Sequence, residues 1–310
     1  YVTLVDHRKS DFGLSLLRSF LAGFILWSFA LGLPSISEAA KPDRISVAYC
    51  ADCVQFHFRD QNGKAAGMII DLWHLWSEKT GIKIDFKAAT WAETLRMVGA
   101  GEADVHAGLF FNDERAKYLE YGSRLTETDT NFFVHKDLPH IETVEDLTAY
   151  RVGVLAGDYV EGFLKKKLPS GTIVGFKNYD DLMKALREEK LQVFAADTPT
   201  AIFHLQKAGL GYVFEAPNKT PLYRSNWFVA ATKGNRELIK IINEGMALVT
   251  AEERQEVERR WASIADPKVV VDVDKVDSKL NLTDAEKKWL AAHPVLRVHN
   301  EDDWPPFNFF

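Results

Sequence analysis

The chain has 310 residues, enough for one or two domains, and its 46% apolar and 26% charged residues are ordinary for a soluble globular protein. A formal net charge of -6 gives no sign of a nucleic-acid footprint, which needs a basic patch or stripe. With only Cys50 and Cys53, there is no disulfide framework.

Residues 1–40 carry Arg8, Lys9 and Arg18 ahead of the apolar run Phe20–Leu33, then Pro34 and the small residues Ser37 and Ala39. A basic start, a short apolar core and a small-x-small site predict a secretory leader, cleaved between Ala39 and Ala40 or retained as an anchor. The run is shorter than the roughly 20 apolar residues of a membrane span. The mature chain is therefore expected outside the cytoplasm, in the periplasm, where disulfides persist.

Arg44–Tyr49 alternates as a strand, and Asp60-Gln-Asn-Gly-Lys64 reads as a hairpin turn. A helix is predicted over Ile69–Thr80, with Ile69, Leu72, Trp73 and Trp76 on one face and Gly81 closing it. His74, beside that stripe, reads as a solvated helix histidine. Strand Lys83–Lys87, helix Trp91–Val98 and strand Ala103–Leu109 complete a βαβ pattern with a parallel sheet. In such sheets ligands gather at the carboxyl ends of strands, just where Phe110, Phe111 and Arg115 fall. Asn112 is placed to cap a short helix with Asp113 and Glu114 in its first turn. Arg115 then offers a planar fork to an anion, or pairs with Glu114 or Asp113 on the surface.

These motifs, in this order and spacing, resemble the family 3, polar amino acid-type, bacterial solute-binding proteins. The frame is Phe56-His57-Phe58, Asn62-Gly-Lys64, Gly67-Met-Ile-Ile-Asp71-Leu72, Trp91, Gly101-Glu-Ala-Asp104 and Glu114-Arg115-Ala-Lys117, and the resemblance runs from about Arg44 to Trp261. It implies an α/β, two-lobed periplasmic-binding-protein (Venus-flytrap) fold with two hinge crossings. Lobe one would take residues 44–131 and 226–265, lobe two residues 132–225. The resemblance also implies that Arg115 clamps a ligand carboxylate.

Strand Asn131–His135 would make the first crossing, and Thr143-Val-Glu-Asp146 resembles a capping box. Strand Arg151–Leu155 leads through Ala156-Gly157-Asp158 into helix Tyr159–Lys166, a turn where the family carries Ser or Thr and holds the carboxylate. Asp158 departs from that pattern. It caps the helix, adds a negative charge to the site, or both. Tyr159 follows it at the cleft.

Helix Asp180–Glu189 and strand Leu191–Ala196 lead to Asp197, matching the family aspartate that binds the ligand's amino group. Thr198-Pro199 opens the next helix, so capping is the rival role. Ser225–Ala231 reads as the returning strand, followed by helices Glu237–Val249 and Glu252–Trp261.

Leu109, Phe110 and Phe111 replace the family's usual hydroxyls. They argue against an ordinary free amino acid and for a ring-bearing, apolar or cationic solute, unless the two rings are simply lobe core. If Arg115 turns away, Asp158 and Asp197 set the charge and favour a cation. Cys50-Ala-Asp-Cys53 is a structural disulfide, a pair of free thiols, or a redox or soft-metal site with His57 or His106. No motif calls for a cofactor, and Glu127 and His106 are not spaced as a catalytic pair.

Residues 266–282 read as a polar linker with Pro267, Asp266, Asp272, Asp274 and Asp277. Thr283-Asp-Ala-Glu286 is a capping box opening a helix over Asp284–His293, stopped by Pro294. Then Leu296-Arg-Val298 and Phe307-Asn-Phe309 repeat Ile45-Ser-Val47 and Phe56-His-Phe58, with Asp303 matching Asp52, all at an offset of 251 residues. Residues 283–310 thus read as the truncated start of a second copy. The junction is similar to that between tandem copies in BvgS-type sensor kinases and related diguanylate cyclases. The start at Tyr1 and the end inside an apolar run suggest part of a longer protein. The whole would be a membrane-anchored sensor with a histidine kinase or cyclase output, or alternatively a free binding protein of a transporter.

Overall fold

A computed structural model describes residues 41–139, 141–217 and 220–262, and further on 283, 288–289, 291–292, 303–304 and 308–309. The leader and linker of the sequence reading lie outside the described residues, as does most of the helix expected over 284–293. The chain divides into two compact units, Tyr1–Ala265 and Asp266–Phe310.

In the first unit, β1 (Arg44–Cys50) lies between β5 (Lys83–Ala89) and β6 (Val105–Phe110), all parallel. The crossover helices are α1 (Met68–Thr80) and α2 (Trp91–Gly99). A small antiparallel sheet of β2 (Asp52–Cys53), β3 (His57–Arg59) and β4 (Ala65–Ala66) sits between β1 and α1 in sequence, turning at Asp60–Lys64 as expected. Gly67 joins it to α1 at φ 125°, where a Cβ would lie 2.4 Å from the Phe56 carbonyl oxygen, so only glycine fits. The stripe of α1 is buried, and Trp73 Nε1 donates to the Ala107 carbonyl at 2.8 Å, fixing the helix on the sheet. Solvated His74 is exposed.

The second lobe repeats the parallel plan. There β8 (Val152–Leu155) lies between β10 (Val193–Asp197) and β9 (Ile173–Phe176), with α4 (Tyr159–Lys165) and α5 (Tyr179–Arg187) as its crossovers. Helix α6 (Thr198–Lys207) follows β10, and the Thr143–Asp146 box closes reciprocally over a 3₁₀ turn at Glu145–Ala149.

Two antiparallel strands cross between the lobes: β7 (Leu119–His135) outbound and β12 (Tyr223–Thr232) on the return. The sheet therefore runs β5-β1-β6-β12-β7-β10-β8-β9, with β11 (Phe214–Glu215) also on β7. Helices α7 (Arg236–Ala247) and α8 (Ala251–Ala262) close the first lobe, Trp261 Nε1 donating to Asp71 Oδ2 at 2.8 Å. This is the two-lobed α/β periplasmic-binding-protein fold.

The course of β7 and the presence of β9 and the short β11 differ from the sequence reading. β7 begins at Leu119 rather than Asn131, because its first half alternates polar residues with buried Leu125, Thr126, Thr128 and Thr130 and offers no apolar run. β9 was not anticipated. It is an edge strand, half-buried along most of its length, and so lacks the apolar pattern of the central strands.

In the second unit, β13 (Asp303–Trp304) pairs antiparallel with β14 (Asn308–Phe309). Its partners, Asp303 with Phe309 and Trp304 with Asn308, stand 251 residues beyond Asp52 with Phe58 and Cys53 with His57 in β2–β3. Among the described residues no helix is long and apolar enough to cross a membrane.

Candidate functional site

The seam between the lobes is built by strand register. Thr130 of β7 is paired on one side with Tyr223 of β12 and on the other with Asp197 of β10. Directly opposed residues present their side chains on the same face of a sheet. Thr130 Oγ1 accordingly donates to Asp197 Oδ1 at 2.6 Å. Asp197 occupies the N-cap position of α6 without a side-chain capping bond, so its carboxylate is free of that rival duty. It is 9% exposed. Burial pushes its carboxyl well above the usual range, and the nearby Asp158 carboxylate adds to the rise.

Asp158 caps α4, accepting from Tyr159 N. Burial raises its carboxyl too, with Arg115 acting in the opposite direction. The hydroxyls of Tyr179 and Tyr223 are held well above the ordinary range by burial and by the fields of Asp158 and Asp197. The buried Tyr223 hydroxyl closes no hydrogen bond of ordinary geometry, although Thr130, which donates to Asp197, is its neighbour.

Arg115 sits on the short α3 (Asp113–Ala116), capped by Asn112 Oδ1, which accepts from Arg115 N at 2.7 Å. Its side chain is buried and pairs with neither Glu114 nor Asp113. Glu114 instead meets Lys117. Nη1 donates to the Phe110 carbonyl at 3.0 Å and Nη2 to the Gly157 carbonyl of lobe two at 2.9 Å. Trp91 Nε1 donates to the same Gly157 oxygen at 3.0 Å, and the guanidinium stands 5.5 Å from the Trp91 ring. Gly157 presents that carbonyl from a left-handed turn at φ 78°.

An aromatic wall backs these groups. Phe110 meets Tyr159 at 5.8 Å and Trp227 at 4.8 Å, and Tyr159 meets Tyr223 at 5.3 Å. Phe111 stands apart from them, 49% exposed against Tyr121. Arg115, Asp197, Phe110, Trp91, Asp158 and Tyr159 are thus gathered at one seam and Phe111 is not. The sequence reading missed Thr130, Tyr179, Tyr223 and Trp227. The alternation Thr126, Thr128, Thr130 was the available signal for the first.

Cys50 and Cys53 are joined by a disulfide, with Cα atoms 5.7 Å apart. Their sulfurs and a nitrogen of His57 lie within 4.8 Å of one another, but bonded sulfurs are not thiolate ligands. The fully buried His57 is pushed down to about 4 by desolvation and is neutral at physiological pH. The loop around the disulfide also grips lobe two. Asp52 Oδ2 accepts from Tyr179 N at 2.9 Å, the Asp52 carbonyl meets His204 Nε2 at 2.8 Å, and the Val54 carbonyl accepts from Thr200 Oγ1 at 2.8 Å. His106 and Glu127 share no site. His106 is buried against Thr94, whereas Glu127 pairs on the surface with Arg124 and Arg224.

The chain is 25% identical over 199 residues to the L-cystine-binding protein TcyJ of Escherichia coli (strain K12), covering 62% of this chain and 72% of that one. It is 20% identical over 217 residues to the virulence sensor protein BvgS of Bordetella pertussis, covering 69% of this chain but 17% of BvgS. A histidine kinase sensor domain with similarity to periplasmic binding proteins superposes with a TM-score of 0.67 at 20% identity, covering 71% of this chain and 96% of that domain. The model of one family matches residues 45–264. With two α/β lobes, two crossing strands and a charged seam between them, the chain belongs to the bacterial extracellular solute-binding proteins, family 3.

Proposed function

We propose that this domain is the extracytoplasmic sensing part of a membrane-linked signalling receptor, closing its two lobes on a small solute held between Arg115 and Asp197. The observation that carries the reading is the seam: Arg115 and Trp91 of one lobe reach Gly157 of the other, beside the buried carboxylate of Asp197 and the half-buried one of Asp158. A ligand that touches both lobes stabilises the closed arrangement by its differential affinity for it, and a hinge transmits that bias. The ligand is amino-acid-like, aromatic or cationic. Residues 1–40 serve as leader or anchor, 266–282 as linker and 283–310 as the start of a second solute-binding copy. The matching hairpin register at 251 residues supports that tandem arrangement. The likeness to BvgS agrees with it.

A second reading is a free periplasmic binding protein serving a transporter, and the likeness to an L-cystine-binding protein is compatible with it. The gene downstream of Phe310 separates the two. A completed second copy, a membrane span and a cytoplasmic kinase or cyclase domain support the sensor, and an early stop codon overturns it. The binding itself is tested by melting the chain against panels of amino acids, amines and aromatic acids. A seam ligand raises the melting temperature by mass action. Arg115→Ala is expected to weaken a ligand that carries a carboxylate at least tenfold by calorimetry, and unchanged affinity for such a ligand removes Arg115 from the site.

A further inference from the structure

Proteins hold carboxylate ligands with guanidinium forks and with open amides at helix N-termini. In this seam the chain's own acceptors already engage both devices, taking an N–H from each Nη of Arg115 and the amides that open α4. Arg115 spends Nη1 and Nη2 on the carbonyls of Phe110 and Gly157. At the opening of α4, Gly157 N donates to Glu161 Oε2 at 2.6 Å, Asp158 N to the Leu155 carbonyl at 3.1 Å, and Tyr159 N to Asp158 Oδ1. The Val160 amide also faces the Asp158 carboxylate and favours its ionised form. On the first-lobe side Asn112 takes Arg115 N with its side chain and Ala116 N with its carbonyl.

What remains for a ligand is acceptor and π-face. Asp197 is bonded by Thr130, Asp158 lies within its field, and the Tyr223 hydroxyl is buried without a bond of ordinary geometry. The rings of Phe110, Tyr159 and Tyr223 follow one another at 5.8 and 5.3 Å. One guanidinium against two carboxylates leaves one negative charge when both acids are ionised.

We propose that the seam takes an organic cation, an amine with an apolar or aromatic body and no carboxylate. This rests on the solute-binding reading above and names its ligand class. The ammonium donates to Asp197 and Asp158 and to the Tyr223 oxygen, while the rings cover its body and gain cation–π attraction. A buried carboxylate is costly until a cation meets it, which ties closure to the arrival of positive charge. A zwitterion brings a carboxylate to a fork already bonded to two carbonyls and to amides that already have acceptors, and it faces the Asp158 carboxylate as well.

Two matched sets test this on the whole chain: phenethylamine, phenylalanine and 3-phenylpropionate, then pentylamine, norleucine and hexanoate. Each set varies only the amine and the carboxylate. In at least one set the amine is expected to bind at least tenfold more tightly than its amino acid by calorimetry, with the acid failing to bind. Asp197→Asn should weaken the amine at least tenfold while the unliganded variant still melts cooperatively. Asp158→Ser keeps a helix cap but removes the charge, and should shift preference toward the amino acid. An amino acid or acid that outbinds its amine overturns the cation proposal and leaves the solute-binding reading standing. If no member of either set, and nothing in the wider panels, binds the wild type or Arg115→Ala, both fall.

Discussion

Asp197 is placed where its charge works against the fold. It is nearly buried, has one hydroxyl donor, and lies in the field of a second carboxylate. A carboxyl whose folded pKa is raised binds its proton more tightly in the native state than in the unfolded one. Its favourable contribution is complete at acid pH, below the ordinary carboxylate range, and is lost as pH rises through the folded value. Asparagine imitates the protonated form and still accepts from Thr130. Asp197→Asn is therefore expected to be more stable than the wild type at pH 7–8, with the difference closing as pH falls below about 4, where the ordinary carboxylate range lies. Urea melts at three or four pH values check this. A variant less stable than the wild type at neutral pH would mean that the charge stabilises the fold, contrary to the burial argument. Stabilising the fold while weakening a ligand is what replacing a functional residue commonly does.

At the scale of elements, the loop between β1 and β3 does two jobs. It carries the disulfide, and three of its polar groups meet α5 and α6 of the other lobe. Closing so short a loop removes little chain entropy, about 2 kcal/mol. Cys50→Ala with Cys53→Ala should cost at least that in oxidising buffer, with most of the difference disappearing when the wild type is refolded in reductant. Equal stability of the oxidised and reduced wild type would show that the bond does not brace the loop. Much of this lobe was legible in the sequence, because α1, α2 and their strands bury apolar stripes of regular period between glycine stops. Asn112, Asp158 and the Thr143–Asp146 box could be read as caps because capping is local chemistry. The start of β7 was not legible, and with it went Thr130 and Tyr223. Which residues of β12 and β10 flank Thr130 is a matter of register between strands distant in sequence, and no local pattern records it. Arg115 could be seen as a fork, but nothing nearby in sequence says that Gly157 would occupy it.

For the whole first unit the consequence is a balance between closed and open lobes set by bonds of the chain to itself. Arg115 and Trp91 share the Gly157 carbonyl, and Asp52, Val54, Thr200, His204 and Tyr179 supply the remaining polar contacts of the disulfide loop. Each such bond contributes on the order of 1 kcal/mol net. Trp91→Phe with Arg115→Ala removes both bonds to Gly157, about 2 kcal/mol, and should shift the closed-to-open ratio about thirtyfold toward open. Spin labels at half-exposed Glu93 on α2 and exposed Lys165 on α4, both in surface pairs, report the span across the seam. The unliganded wild type is expected to show a population at the short distance, which the double variant loses toward a longer or broadened one and a seam ligand enlarges. A distribution unchanged by the double variant would mean that Gly157 is not the strap, and that the closed arrangement rests on the disulfide loop and the ring contact of Phe110 with Tyr159.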